Sequence, residues 1–145
     1  TMAALPQFAG AGGFLRFGAE RRAAGDEVRR LAIRTNTLDT IAGTLSGGNQ
    51  QKIVLAKWLQ TRPRILLLDE PTRGVDVGAK FEIYRIIRQL AAEGTAIALV
   101  SSELPEVLGL ADRIIIMAEG HVTAALDRDE LTPERVMAFA TGTSK

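Results

Sequence analysis

The 145-residue sequence contains no cysteine, which excludes disulfides and thiolate-bound zinc and fits a reducing compartment. It also lacks a long apolar run: the longest is about five residues, against the ~20 needed to cross a bilayer, and no signal peptide opens it. Any membrane association is therefore expected to go through a partner. Neither sign of charge dominates, with 18 basic and 17 acidic residues and a net charge of +1, so no overall field argues for nucleic acid. The one basic cluster, Arg21, Arg22, Arg29 and Arg30, reads as a solvated helix face. A single histidine, His121, is on hand for acid–base work, and it reads as a surface residue of a turn or strand. The most informative absence is a motif. Nowhere does G-x-x-x-x-G-K-[ST] occur, the loop by which a chain grips the phosphates of its own nucleotide. Gly10 to Gly13 only superficially resembles one, since no Lys-Ser/Thr follows and no strand precedes, and it is assigned to a linker.

What is present suffices for a globular core, with 46% hydrophobic residues in about one domain's length. The pattern changes near Pro63. Before it, a charged helical segment from about Ala19 to Ile33, a polar link at Thr35-Asn36-Thr37 and a second helix from Ser46 to about Gln60 make an all-helical part. After it, Ile65 to Leu68 is a short apolar run of the kind buried on both faces of a parallel sheet. A helix is predicted from about Val77 to Ala92, with Ile83, Ile87 and Leu90 inward and Glu82, Arg85 and Gln89 outward. Strands are predicted at Ala96–Val100, Arg113–Met117 and His121–Leu126, with a short helix at Leu104–Leu110. Thr132-Pro133-Glu134 reads as N-cap, N1 proline and first-turn acid of a closing helix. Alternating strands and helices predict an α/β sheet with right-handed crossovers.

Two stretches carry chemistry. Asp69 and Glu70 stand side by side at the end of the first buried strand, where ligands bind in open α/β sheets. A solubilising turn or a helix cap is the plain alternative, at a desolvation cost that an ordinary turn avoids. As a site, Asp69 offers a hard oxygen to Mg²⁺, and Glu70 can orient or deprotonate a water for in-line attack on a phosphoryl group. Ser46-Gly47-Gly48 opens a helix, either as an N-cap and flexible turn or as an anion cradle of backbone N–H groups at the positive helix end. Asp76 reads as the N-cap of the helix that begins near Val77.

Leu45-Ser46-Gly47-Gly48-Asn49-Gln50-Gln51 ahead of Leu66-Leu67-Leu68-Asp69-Glu70-Pro71 resembles the signature motif and Walker B of an ATP-binding cassette (ABC) ATPase. Arg73-Gly74-Val75-Asp76 matches the D-loop, and Ala111-Asp112-Arg113-Ile114 a segment near the end of the cassette fold. More narrowly, Glu70 to Lys80 and Val100-Ser101-Ser102-Glu103-Leu104-Pro105-Glu106-Val107 resemble the second cassette of the tandem ATPase subunits of bacterial ribose, galactose and xylose importers. The resemblance runs from roughly Leu5 to Gly142. It implies a partial P-loop NTPase fold: residues 1–62 as the remainder of the helical signature subdomain, residues 63–145 as the Walker B half of a RecA-like, mostly parallel α/β subdomain. The Walker A loop and Q-loop precede these segments in the family, so the chain reads as the C-terminal part of a longer polypeptide.

The resemblance also assigns roles. Ser46, Gly47, Gly48 and Asn49 would cover ATP held by the Walker A of another cassette, with Asp76 in the D-loop, Asp69 on Mg²⁺ and Glu70 as the catalytic carboxylate. One departure stands out: the position of the switch histidine is Ser102. Losing one such preorganised donor costs on the order of 10²–10³ in rate. The local site is therefore expected to hydrolyse slowly or not at all, and the isolated chain, without Walker A, to bind ATP-Mg²⁺ poorly. Expected partners are the N-terminal cassette of the same polypeptide or a second cassette, a membrane permease and, indirectly, a sugar-binding protein, with no nucleic acid. The expected location is the cytoplasmic face of the bacterial inner membrane. A sheet without its neighbouring strands also leaves self-association of the isolated chain open. The alternatives are a cassette that occludes ATP without hydrolysing it, and a soluble non-transport ABC ATPase.

Overall fold

The computed structural model describes residues 1–142. They sort into two compact units, residues 1–66 with 71–98 and residues 67–70 with 99 onward.

In the first unit, α1 (Leu5–Phe8) and α2 (Phe17–Arg30) are joined by a tight turn with Gly12 and Gly13 at φ 79° and 80°. Two main-chain bonds close it, Gly10 N–H to the Phe14 carbonyl at 2.8 Å and Gly13 N–H to that of Gly10 at 3.1 Å. Gly10 to Gly13, assigned to a linker from sequence, is thus a hydrogen-bonded turn within this unit. Helix α2 buries no residue. Two of its arginines tie it to other segments: Arg21 makes two bonds to Asp39 at 2.7 and 2.8 Å, and Arg30 reaches Glu93 at 2.6 Å.

Helix α3 (Gly47–Leu59) buries Gly48, Lys52, Leu55, Ala56 and Leu59, one stripe at helical spacing. It packs against α4 (Val77–Ala92), which buries Ile83, Ile86, Ile87 and Leu90. Asp76 caps α4, its Oδ1 accepting the Ala79 N–H at 3.0 Å, in line with its sequence reading.

Strand β1 (Ile65–Asp69) pairs with β2 (Ala96–Val100). Ala96 N–H bonds the Arg64 carbonyl at 3.0 Å and Glu70 N–H that of Val100 at 2.8 Å, so both strands run in the same direction. Contrary to the sequence expectation, β1 is not buried on both faces among the described residues. Leu66 and Leu68 are inside, while Ile65 and Leu67 are 67% and 76% exposed. An unbroken apolar run states that both faces tolerate burial, and only neighbouring elements decide which of them is covered.

In the second unit, α5 (Leu104–Leu110) is followed by the antiparallel pair β3 (Arg113–Ala118) and β4 (His121–Asp127). Their two-residue turn, Glu119-Gly120, has φ of 50° and 79°, the left-handed pair that suits the twist of a hairpin. Ile114, Ile116, Leu126 and Val136 form the core here, under Leu104, Val107, Leu108 and Phe139. The Arg128 guanidinium closes the C-terminus of α5 by donating to the carbonyls of Leu108 and Ala111, both at 2.8 Å. Thr132 caps α6 (Pro133–Ala140) through the Arg135 N–H. His121 is exposed at the first position of β4, as read from sequence. No described helix is long and apolar enough to cross a membrane.

Candidate functional site

Two groups of residues singled out by the sequence are brought together, one in each unit. In the first unit Ser46 precedes α3 but does not cap it: its side chain takes none of the first-turn N–H groups. Its Oγ instead accepts the Asn49 Nδ2 at 2.9 Å, so Ser46 leaves the amides at the positive end of a 13-residue helix to other acceptors. Gly47 is exposed beside the Gly74 carbonyl. Gly48 is buried, and a Cβ on it would lie 2.4 Å from that of Ala79. Its missing side chain thus admits α4, and the sequence reading of Gly48 as bare cradle gains a packing reason. Ser46, Gly48, Asn49, Asp76, Ala79 and Glu82 line one cleft of about 200 Å³.

Three residues of this group were missed or misread from sequence. Lys52 is 2% exposed, and its ammonium donates to the Ala32 carbonyl at 3.1 Å and to Glu82 Oε2 at 2.6 Å. Glu82, placed outward by helical period, therefore partners a buried cation. Its other oxygen accepts from Arg34 Nη2 at 3.2 Å. The signal was available: Lys52 falls on the Gly48–Leu55–Ala56–Leu59 stripe, where a charge is tolerated only with a partner.

The hydrogen bond from Lys52, followed by its charge and that of Arg34, holds the Glu82 carboxyl below the usual range. A carboxylate with a lowered folded-state pKa stabilises fully above the unfolded value of about 4.3, and that contribution is lost as pH falls through the folded value. Burial acts oppositely on Glu27, whose carboxyl is pushed up, so its folded form weakens as pH rises. Melting temperature is accordingly expected to drop below about pH 4.3, and less steeply in Glu82→Gln. Parallel melting curves from pH 3 to 6 for the two proteins would count against it.

In the second unit Asp69 ends β1 with its side chain exposed, and Glu70 follows it at φ 45°. A non-glycine residue in the left-handed region costs on the order of 1 kcal/mol, and such outliers concentrate at functional positions. Two bonds hold Glu70 there, its N–H to the Val100 carbonyl and its Oε1 accepting the Ser102 N–H at 2.9 Å. Ser102 thus reaches Glu70 through its main chain. No cluster of three acids or histidines forms a metal cage among the described residues. A lone Asp69 oxygen fits Mg²⁺, which keeps most of its waters and takes further oxygens from a bound phosphate.

The profile of the family described as ABC transporter matches residues 11–73. The chain is 57% identical to a Pseudomonas fluorescens protein named as a ribose/galactose/methyl galactoside import ATP-binding protein, over 97% of this chain and 27% of that protein. A second such protein, from Pseudomonas syringae pv. tomato, is 54% identical over the same shares. The chain therefore spans about a quarter of the length of the curated relatives it matches. Among solved structures, an ATP-binding cassette of an ABC transporter superposes with a TM-score of 0.70 at 26% identity, over 81% of this chain and 48% of that one. The signature stretch, the carboxylate pair at the end of β1 and these similarities together say that the chain belongs to the ABC transporter family of ATP-binding proteins.

Proposed function

We propose that the chain is the C-terminal part of a cassette in an ATPase subunit that drives monosaccharide import across the bacterial inner membrane. Residues 1–62 would supply the signature and residues 63–145 the hydrolytic carboxylates. The carrying observation is the start of α3, where Ser46 bonds Asn49 and leaves the first-turn amides to an outside acceptor. Such a helix end favours a phosphate presented from elsewhere, and the chain has no G-x-x-x-x-G-K-[ST] to hold one itself. Ser46, Gly47, Gly48 and Asn49 then close over ATP gripped by another cassette, with Asp76 lining the same cleft as Ser46, Gly48 and Asn49. Asp69 would hold Mg²⁺ at this cassette's own nucleotide, and Glu70 would orient the attacking water. The sugar class rests on the names of the relatives, which imply a permease and a sugar-binding protein as partners and a peripheral position on the cytoplasmic face.

Nucleotide trapping in the full-length subunit with its permease tests the assignment. Ser46→Arg is expected to abolish trapping at the opposite cassette's Walker A while leaving the melting temperature unchanged. Undiminished trapping there would overturn it. A second reading, occlusion of ATP without hydrolysis, is favoured by Ser102 meeting Glu70 through its main chain alone. Occluded nucleotide counted per turnover separates the two.

A further inference from the structure

The hydrogen bonds around Ser46 form one connected chain through Asn49, Arg34, Glu82 and Lys52. Arg34 N–H donates to Asn49 Oδ1 at 2.8 Å, which fixes which end of the Asn49 amide is oxygen. Asn49 Nδ2 must then face Ser46, so Ser46 Oγ is the acceptor and its own proton is free to point elsewhere. Arg34 is in turn held by Glu82 Oε1, and Glu82 by Lys52, one turn beyond Asn49 on α3. Ser46, Asn49 and Lys52 are spaced three apart and share a face of the helix. The Ala32 carbonyl, presented by a residue at φ 49°, completes the shell of Lys52. A lysine 2% exposed has no water to replace Glu82, so the carboxylate is its required partner.

We propose that Arg34, Lys52 and Glu82 are positioning residues for the signature turn: through Asn49 they set the Ser46 hydroxyl as a hydrogen-bond donor toward the cleft. A donor suits a phosphate oxygen, which only accepts. Reversing the Asn49 amide would turn that proton inward and present a lone pair to an anion. The inference rests on the reading above, in which Ser46 meets ATP held by another cassette. It adds that the hydroxyl is oriented before the nucleotide arrives, by a cluster whose Arg34 and Glu82 line the same cleft.

Orientation through Asn49 predicts a particular kinetic pattern. ATP is gripped by the opposite Walker A, so loosening this cluster leaves the KM for ATP largely unchanged and lowers kcat, roughly tenfold for a displaced supporting residue. Arg34 is the informative position, because its side chain is 81% exposed and its removal leaves the core intact. In the full-length importer, Arg34→Ala is expected to lower kcat about tenfold at an unaltered melting temperature, and Arg34→Lys to recover most of it by reaching Glu82. Glu82→Gln is expected to lower kcat similarly if it folds; Arg34→Ala decides the matter if it does not. Parent kcat in Arg34→Ala, with Ser46→Ala crippled, overturns the positioning role and leaves the signature assignment standing. Parent kcat in Ser46→Ala as well overturns both.

Discussion

In the full-length subunit, removing the Walker B glutamate of the other cassette is expected to cut ATP turnover by about 10²–10³, while Glu70→Gln leaves turnover close to the parent rate. The asymmetry follows from Ser102. The carboxylate itself is held: Glu70 sits at φ 45° with its N–H bonded to the Val100 carbonyl, and its Oε1 accepts the Ser102 N–H. What the site has little of is a second group over the attacking water and the departing phosphoryl. A hydroxymethyl side chain is short and never cationic, and Ser102 is exposed, its recorded bond made through the backbone. One missing preorganised donor is worth about 3–4 kcal/mol of barrier, which is the 10²–10³ in rate. Ser102→His is then expected to make turnover newly sensitive to Glu70→Gln. Steady-state ATPase assays of the permease complex measure all of these. Near-parent turnover after the other cassette's glutamate is removed would show that this site hydrolyses well with serine.

The residues that sequence placed correctly are those whose signal is local. Asp76 and Thr132 are short polar side chains directly before helical patterns, and both cap as expected. Helix α4, strand β2 and helix α5 begin and end where period and breakers put them. The failures concern which neighbour covers what. Ile65 and Leu67 look like core in an apolar run, and no described element covers their face. Glu82 looks like surface on its own helix, and only α3 makes it the counter-ion of a buried lysine. The signature stretch lies between these cases. Its resemblance to a known motif was legible, but the bond from Asn49 to Ser46 depends on Arg34, which arrives from a link with no regular pattern.

Gly48 separates two explanations of the same glycine, and Gly48→Ala is expected to lower both stability and turnover. Helix propensity favours alanine over glycine by about 1 kcal/mol, so an open position would be stabilised. Gly48 is not open. The new Cβ would sit 2.4 Å from the Ala79 Cβ, where carbon atoms need roughly 3.5–4 Å, with Val75 Cγ1 at 3.6 Å closing the other side. The obstructing atom is attached directly to the α4 backbone and cannot rotate aside, so the helices must part by on the order of 1 Å, at about 1–3 kcal/mol. That movement pulls on the 2.6 Å bond between Lys52 and Glu82, which joins the same two helices. Ala79→Gly should relieve the clash at its own cost of about 0.5–1 kcal/mol. The double variant Gly48→Ala/Ala79→Gly is therefore expected to melt close to Ala79→Gly alone and to regain turnover, because Gly48 is buried toward α4 while exposed Gly47 faces outward. A double variant that melts normally yet stays inactive would assign the bare backbone of Gly48 to the phosphate rather than to the helix contact.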